Sequence, residues 1–387
     1  MKRYVLSVIF LLSCSWCQGF HLDNVAVCPR PLKTTASVKR FFAVAPSSLR
    51  EEATIVTDPT SLLQVATDAL RYLQAHCDGH DQTINPQKFR FLLSYEAVER
   101  TLKFIIATIK EDKKTGHNRI QDSDFLRANF GSISWRADHG DAARQAVEMP
   151  SDGRIRLTTY GILALQGSHH KTAEYPCALY QIFDLSIQNK YTKQQILSGA
   201  LEKKLNHHKR RVLAWVSRQD MEDALMHGTV IVNFHEGGTK ILNVDVHNGI
   251  SYDRKQKNML AQKRYWFFRE LKNQHPSHMT LVERFKKRQG VIFAGDVYNI
   301  GFGKFIALSY AHPITGKQEM RLGILADTGG AFINNLYQLD MFGGVFADRQ
   351  EMKKYRADVP LFARATILFC HPGQGPGSQK CAQRAHR

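Results

Sequence analysis

Two neighbouring glycine-rich segments decide how the chain is interpreted: residues 323–331 read GILADTGGA, and residues 339–344 read LDMFGG. An apolar run leads into Asp327, and the paired glycines that follow let the backbone turn tightly or approach another strand closely. Asp340 stands among apolar neighbours in the second segment. Because an apolar environment raises the pKa of a carboxyl group, Asp340 is a candidate proton donor near neutral pH.

Two simpler interpretations of these aspartates stay open on the residues alone. An aspartate beside glycines can occupy a turn or cap backbone amides without any chemical role. The Asp-Thr-Gly at 327–329 also occurs in aspartic proteases, but these need a second matching copy to form a carboxylate pair. The chain contains one copy, so this class is set aside.

Composition limits the classes to which the protein can belong. The chain has 387 residues with 43% hydrophobic residues, enough for a sizeable core, which excludes a mainly disordered protein. No long apolar run follows the N-terminal residues, which argues against a polytopic membrane protein. The net charge of +18 favours an anionic partner: nucleic acid, acidic lipid or a carboxylate-rich cell wall.

The N-terminus narrows this choice. Lys2 and Arg3 precede the short apolar run YVLSVIFLL and then small and polar residues, a layout that predicts a signal peptide over 1–19. Export makes nucleic acid an unsuitable partner and leaves the bacterial wall as the obvious polyanion. Lipidation at Cys14, and with it an outer-membrane association, is left open.

Neither the cysteines nor the histidines show the spacing of a metal site, so we expect no metal. The five cysteines that follow the signal peptide are scattered, and a Cys370–Cys381 disulfide is one option in an oxidising compartment.

Periodicity predicts an α+β protein with helices first and strands later. Apolar residues at helical spacing follow Asp58, and a second helix is predicted from Ser94 to a turn at Gly116. Strands, a hairpin and two more helices follow at these positions: a strand at 154–160, a strand near 180–183, a short helix at 191–201, a hairpin of 229–234 and 240–246, a helix over 258–289, and a β-rich region from 291 to 370.

At this point the sequence resembles a known family. Asp296 before NIGFG (299–303), Asp327 in ADTGGA and Asp340 in LDMFGG resemble the three motifs of the three-aspartate (3D) domain, a double-psi β-barrel. Further upstream the chain resembles the lytic murein transglycosylase A (MltA) family. The matching segments, in family order, are FLRANF (125–130), WRA (135–137), LTTY (157–160), GS (167–168), YP (175–176), LY (179–180), QILSGAL (195–201), VLAWV (212–216), DA (223–224), HGT (227–229) and NGISY (248–252).

The resemblance implies a double-psi β-barrel lobe, a smaller inserted β-barrel lobe, N-terminal helices and a glycan-binding groove between the lobes. The domain boundaries that we derive are a signal peptide at 1–19, a loosely ordered leader at 20–56, an N-terminal helical part of the main lobe at 57–160, an inserted lobe at 161–250, a C-terminal part with the 3D barrel at 251–372, and a basic tail at 373–387.

The activity that the resemblance implies is peptidoglycan lytic transglycosylation, which cleaves the MurNAc-β-1,4-GlcNAc bond and leaves 1,6-anhydroMurNAc. No cofactor and no nucleic acid are expected; peptidoglycan glycan strands are the expected partner, in the periplasm or at the outer membrane of a Gram-negative bacterium. Asp340 matches the catalytic acid, Asp327 would assist it, and Asp296 would be supporting. The expected substrate-binding residues are Tyr160, Thr229, Asn248, Tyr252, Thr328, Gly329 and Gly330.

The chain departs from the family pattern at several groove positions. His227-Gly228-Thr229 stands where the family has Gln-Gly-Ser, and Gly161-Ile162 follows Tyr160 where the family has Glu-Pro nearby. Phe332-Ile333-Asn334 stands where the family has Ile-Lys-Gly. These changes support an alternative, a non-catalytic peptidoglycan-binding envelope protein that keeps the fold.

Overall fold

The computed structural model describes residues 32–45, 49, 53–77, 81, 83–84, 92–206, 208–253, 255–256, 258–272 and 279–371. The predicted signal peptide with Cys14, the first part of the leader, Cys381 and the basic tail lie outside the described residues. Within the described part, no helix is both long and apolar enough to span a membrane.

The described residues form eleven α-helices and fourteen β-strands. The helices are α1 Thr35–Lys39, α2 Pro59–Ala75, α3 Tyr95–Thr115, α4 Ser123–Asn129, α5 His139–Arg144, α6 Lys193–Leu197, α7 Ala200–Lys204, α8 Arg218–His227, α9 Leu281–Lys286, α10 Val297–Ile300 and α11 Arg349–Ala357. The strands are β1 Phe42–Ala45, β2 Thr54–Ile55, β3 Phe130–Trp135, β4 Ile155–Ser168, β5 Cys177–Ile182, β6 Arg210–Val216, β7 Thr229–Phe234, β8 Thr239–His247, β9 Trp266–Glu270, β10 Ile292–Ala294, β11 Lys304–Ala311, β12 Gln318–Asp327, β13 Gln338–Phe346 and β14 Phe362–Cys370.

The two predicted N-terminal helices are confirmed, together with their end signals. The Asp58 carboxylate caps α2 by accepting hydrogen bonds from the first backbone N–H groups, and Pro59 occupies the first helical position. Ser94 caps α3, which ends at Gly116 in the left-handed conformation that glycine adopts without strain. The apolar faces of both helices are buried in the larger of two hydrophobic cores.

Six strands close into a ring that we call the barrel lobe. Starting from β14, the hydrogen-bonded neighbours are β11, β12, β10, β13 and β4, and β4 pairs again with β14. The ring therefore joins residues of β4 to strands that lie more than a hundred residues later in the chain. An α+β architecture is confirmed; the double-psi connectivity stays a prediction.

The remaining strands form the second lobe, defined here as β5–β9, the C-terminal half of β4 and α6–α8. Its strand order is β5-β6-β4-β7-β8-β9, and its buried side chains form a separate core. The Tyr265 hydroxyl donates a 2.8 Å hydrogen bond to the Ala178 carbonyl, which ties the β9 side of this sheet to β5. The predicted hairpin is confirmed as β7 and β8, which pair antiparallel.

Two predictions about local structure are wrong. Residues 258–289 are not one helix, because Phe267 and Phe268 are buried in β9, which pairs with β8. Among the described residues of this segment, a short 3-10 helix lies at Met259–Ala261 and an α-helix, α9, near the end. Part of the leader is ordered, since residues 42–45 form β1 and pair antiparallel with β3.

We expect Gly323→Ala to lower the free energy of unfolding by about 2 kcal/mol, because overpacking a core displaces its neighbours. A Cβ at this position in β12 would lie 2.6 Å from the Val291 carbonyl oxygen and 2.6 Å from the Phe293 ring. Gly330→Ala is the matched control, since its Cβ would meet nothing within 4 Å. Equal urea midpoints for the two variants would contradict this account.

Candidate active site

Asp327 and Asp340 lie on either side of one short strand. Asp327 ends β12 and Asp340 lies on β13, and both strands pair with β10, where Ala294 is the register partner of both aspartates. The barrel thus brings the two carboxylates to one place, although a glycine-rich loop separates them in the sequence.

Asp340 is a carboxylic acid in a poorly solvated position. Its side chain is partly exposed, but its Oδ1 atom is buried and has no hydrogen-bond partner among the described residues. The pKa of Asp340 is raised to about 7: burial is the largest cause and the negative charge of Asp327 adds to it, whereas the Thr158 hydroxyl and Arg356 act in the opposite direction. A carboxyl group with this pKa is protonated in about half of the molecules at neutral pH.

Asp327 has a different environment, because it is stabilised by donors. The Tyr160 hydroxyl donates a 2.6 Å hydrogen bond to its Oδ2, and the Thr328 backbone N–H donates a 2.7 Å bond to its Oδ1. Burial, together with Asp327, raises the pKa of Tyr160 well above its usual range, so its hydroxyl stays a donor. The Thr328 hydroxyl in turn donates to the Gly295 carbonyl, which fixes the turn after Asp327 to the loop after β10.

Asp296 lies completely buried at the start of α10 and faces its own loop. It accepts hydrogen bonds from the backbone and side-chain amides of Asn299 and from the backbone N–H of Asn335. The pKa of Asp296 is raised to about 6, because burial outweighs these hydrogen bonds, which act to lower it. Asp296 therefore connects α10 to the loop between β12 and β13, which positions the neighbouring turn.

A cavity of about 510 Å³ opens beside the two aspartates, between the barrel lobe and the second lobe. We call it the central cavity. Of the predicted site residues, seven line it: Tyr160, Thr229, Asp327, Thr328, Gly329, Gly330 and Asp340. Asp296 does not line the central cavity.

Asn248 and Tyr252 do not line the central cavity. Asn248 is 1% exposed, and its amide group forms hydrogen bonds with the backbone of Tyr191, Lys263 and Tyr265, so it holds this part of the second lobe together. Tyr252 is 38% exposed and lies against the guanidinium group of Arg264, which does line the cavity.

The sequence did not point to several cavity residues. One group lies in a segment predicted to be helical: Trp266 and Arg269 are in β9, and Arg264 lies two residues before this strand. Arg288 also lines the cavity and is paired with Asp68 of α2 at 2.6 Å. His227, noted only as a departure from a family motif, lines the cavity as well, and burial lowers its pKa.

Titratable side chains cluster here without forming a metal site. Among the described residues, no group of three or more histidines, cysteines and carboxylates is arranged to hold a metal ion. The chemistry that the site can perform with its own groups is proton transfer by Asp340 beside Asp327, whose two oxygens accept hydrogen bonds.

The fold is shared with solved structures of peptidoglycan-cleaving enzymes. E. coli MltA with bound chitohexaose is similar with a TM-score of 0.56 at 14% identity, covering 86% of this chain and 95% of that one. A membrane-bound lytic murein transglycosylase from Agrobacterium tumefaciens has a TM-score of 0.52 at 15% identity, covering 81% and 93%. No family model and no curated relative matches the sequence.

The chain therefore has a two-lobed α+β fold that is also found in lytic murein transglycosylases. The particular fold is that of MltA, and the resemblance noted in the sequence is confirmed at this level.

We expect Asp340→Asn to stabilise the protein more at high pH than at low pH. The pKa of Asp340 in the folded state, about 7, lies above the unfolded value of about 4. The folded state therefore binds more protons, and stability falls as the pH rises between these values. Asparagine removes this loss, on the order of 1 kcal/mol or more at pH 8 and close to nothing at pH 4.

Thermal unfolding of both proteins from pH 4 to pH 8 measures this difference. Asp152→Asn is the matched control, because Asp152 is exposed and its pKa is lowered by hydrogen bonding to Arg154. A gain in stability for Asp340→Asn that does not depend on pH would show that the carboxyl group is not held in its acid form.

Proposed function

We propose that the protein is a peptidoglycan lytic transglycosylase that cleaves the MurNAc-β-1,4-GlcNAc bond and forms 1,6-anhydroMurNAc. The observation that carries the proposal is the poorly solvated carboxyl group of Asp340 at the edge of the central cavity, with its Oδ1 atom buried and its pKa raised to about 7. The fold shared with MltA, one of whose structures holds chitohexaose, supports a glycan as the substrate class.

In the first step, the protonated Asp340 donates its proton to the glycosidic oxygen while the bond from that oxygen to C1 breaks. In the second step, the Asp340 carboxylate accepts the proton of the sugar's 6-hydroxyl group while O6 attacks C1. The proton count closes, no water is consumed, and Asp340 ends the cycle protonated. One carboxyl acting as acid and then base follows the logic of retaining glycosidases, without a carboxylate nucleophile.

Asp327 acts on this cycle through its charge. The two hydrogen bonds that it accepts, from Tyr160 and Thr328, fix its position, and its charge helps to raise the pKa of Asp340. Positive charge that develops at C1 in the transition state would also be stabilised by a carboxylate on this side of the sugar.

The other cavity residues fit sugar binding. The Tyr160 ring lies 5.3 Å from the Phe342 ring, so both form part of an apolar surface for a sugar face. Gly329 and Gly330 offer backbone groups without side chains in the way. Peptidoglycan lies outside the cytoplasm, which agrees with the signal peptide predicted for 1–19.

The first test incubates the full-length protein with purified sacculi and analyses the soluble products by mass spectrometry. We expect products 18 Da lighter than hydrolysed muropeptides, about one water molecule, because no water enters the proposed reaction. Asp340→Asn should reduce their formation by about a thousandfold or more, since general acid catalysis contributes effects of this order. Asp152→Asn, on the exposed surface, is the control and should behave as wild type.

Other results would overturn the proposal in defined ways. Hydrated products would make the protein a hydrolase. Sacculi that bind the protein but release nothing would favour the non-catalytic wall-binding alternative.

The pH dependence gives a second prediction. The free enzyme needs Asp340 protonated, so kcat/KM should decrease about tenfold per pH unit above a midpoint near 7. Initial rates with soluble glycan strands between pH 5 and pH 9 measure this decrease of kcat/KM. A rate that rises through pH 7 would exclude Asp340 as the acid.

A further inference from the structure

Arg264 is a cationic side chain of the central cavity that has no acidic partner among the described residues. It lies just before β9 on the second-lobe side of the cavity and is half-buried. Within the described part of the chain it makes no ion pair or side-chain hydrogen bond; its contacts are the Tyr252 ring at 5.0 Å and the Trp266 ring at 5.4 Å.

This environment leaves the binding groups of the guanidinium unused. Aromatic rings contact the face of a guanidinium group, whereas its N–H donors point outward in the plane. Burial lowers the pKa of Arg264, and no neighbouring carboxylate compensates for it. The in-plane donors match the two oxygens of a carboxylate in number and spacing.

Several other charged groups of the cavity already have partners or belong to the barrel lobe. Arg288 is paired with Asp68. Asp327 and Asp340 belong to the barrel lobe, and Asp327 accepts hydrogen bonds from Tyr160 and Thr328. Asp245 also lines the cavity and makes an interaction of its own.

We propose that Arg264, supported by Tyr252 and Trp266, is a subsite that binds a carboxylate carried by the substrate. This inference rests on the proposed function, because it assumes that a glycan occupies the central cavity. It adds that the preferred glycan is acidic and not a neutral amino-sugar chain. In peptidoglycan the carboxylate has two sources: a free lactyl group of MurNAc or a peptide stem.

The test measures dissociation constants by calorimetry with the full-length protein carrying Asp340→Asn, so that turnover does not consume the ligands. Three probes are compared: neutral chitohexaose, an alternating GlcNAc–MurNAc hexasaccharide with free lactyl carboxylates, and the same hexasaccharide with peptide stems. We expect at least one acidic probe to bind about tenfold or more tightly than chitohexaose, as expected for one charge-assisted bidentate contact. The probe that shows the preference identifies the source.

Arg264→Gln should reduce this preference to about twofold or less and leave chitohexaose binding nearly unchanged. Arg264→Lys should keep part of the preference, because the charge remains but the planar fork is lost. This second variant carries the test if Arg264→Gln does not fold. Arg211→Gln removes the same charge from the exposed surface of β6 and should keep the full preference.

Three results would each overturn the subsite. They are an unchanged preference in Arg264→Gln, equal binding of all three probes by the protein that keeps Arg264, and no binding of any probe. The outcome is separate from that of the proposed reaction. A preference that depends on Arg264 in a protein that releases no anhydro products would support the subsite and refute the reaction, whereas anhydro products without a preference would do the reverse.

Discussion

The whole arrangement depends on the hydrogen bonding of one long strand, β4. Its N-terminal half pairs with β13 and β14 and closes the barrel, and its C-terminal half pairs with β6 and β7 of the second lobe. Both sides of the central cavity are therefore attached to one continuous backbone. Tyr160 lies near the middle of this strand, opposite Phe342 of β13, which explains how a β4 side chain reaches Asp327. A change in the register of β4 would displace Tyr160 and the second lobe together.

The two central aspartates differ because the barrel gives them different partners. Asp327 accepts hydrogen bonds on both oxygens, while the Oδ1 atom of Asp340 is buried without a partner among the described residues. Two carboxylates whose environments differ in this way can divide acid and electrostatic roles between them. The same burial destabilises the charged form of Asp340, so the feature that suits it to proton transfer also makes the folded protein less stable at high pH.

The local signals in the sequence are sufficient for the two N-terminal helices, the hairpin and the aspartates, but not for the second side of the cavity. Asp58, Ser94 and Gly116 are end signals whose meaning depends on adjacent residues only, and the helices between them form as predicted. The motifs around Asp327 and Asp340 point to a shared site, although the proximity of the two aspartates depends on β10, whose three residues carry no motif.

Trp266 and its aromatic neighbours are predicted as helix because consecutive aromatic residues have no clear period, whereas pairing with β8 decides their conformation. Arg264 could not be recognised without that strand. Asn248 resembled a binding residue in sequence, but only the fold shows that backbone groups occupy its amide.

The departures from the family pattern are easier to understand once the backbone is considered. Asn334 stands where the family has glycine, and its φ is 57°, a left-handed conformation that asparagine tolerates better than most residues. Its side-chain oxygen accepts a hydrogen bond from Asn299, the residue that also holds Asp296, so the exchange adds a contact to the network behind the site. His227 changes the chemistry of the cavity surface, yet Gly228 beside it keeps a positive φ of 79°, and the turn into β7 is maintained. At both positions the backbone adopts a positive φ that the residue present accepts, so the departures from the family pattern change side chains of the cavity surface and of the network behind it.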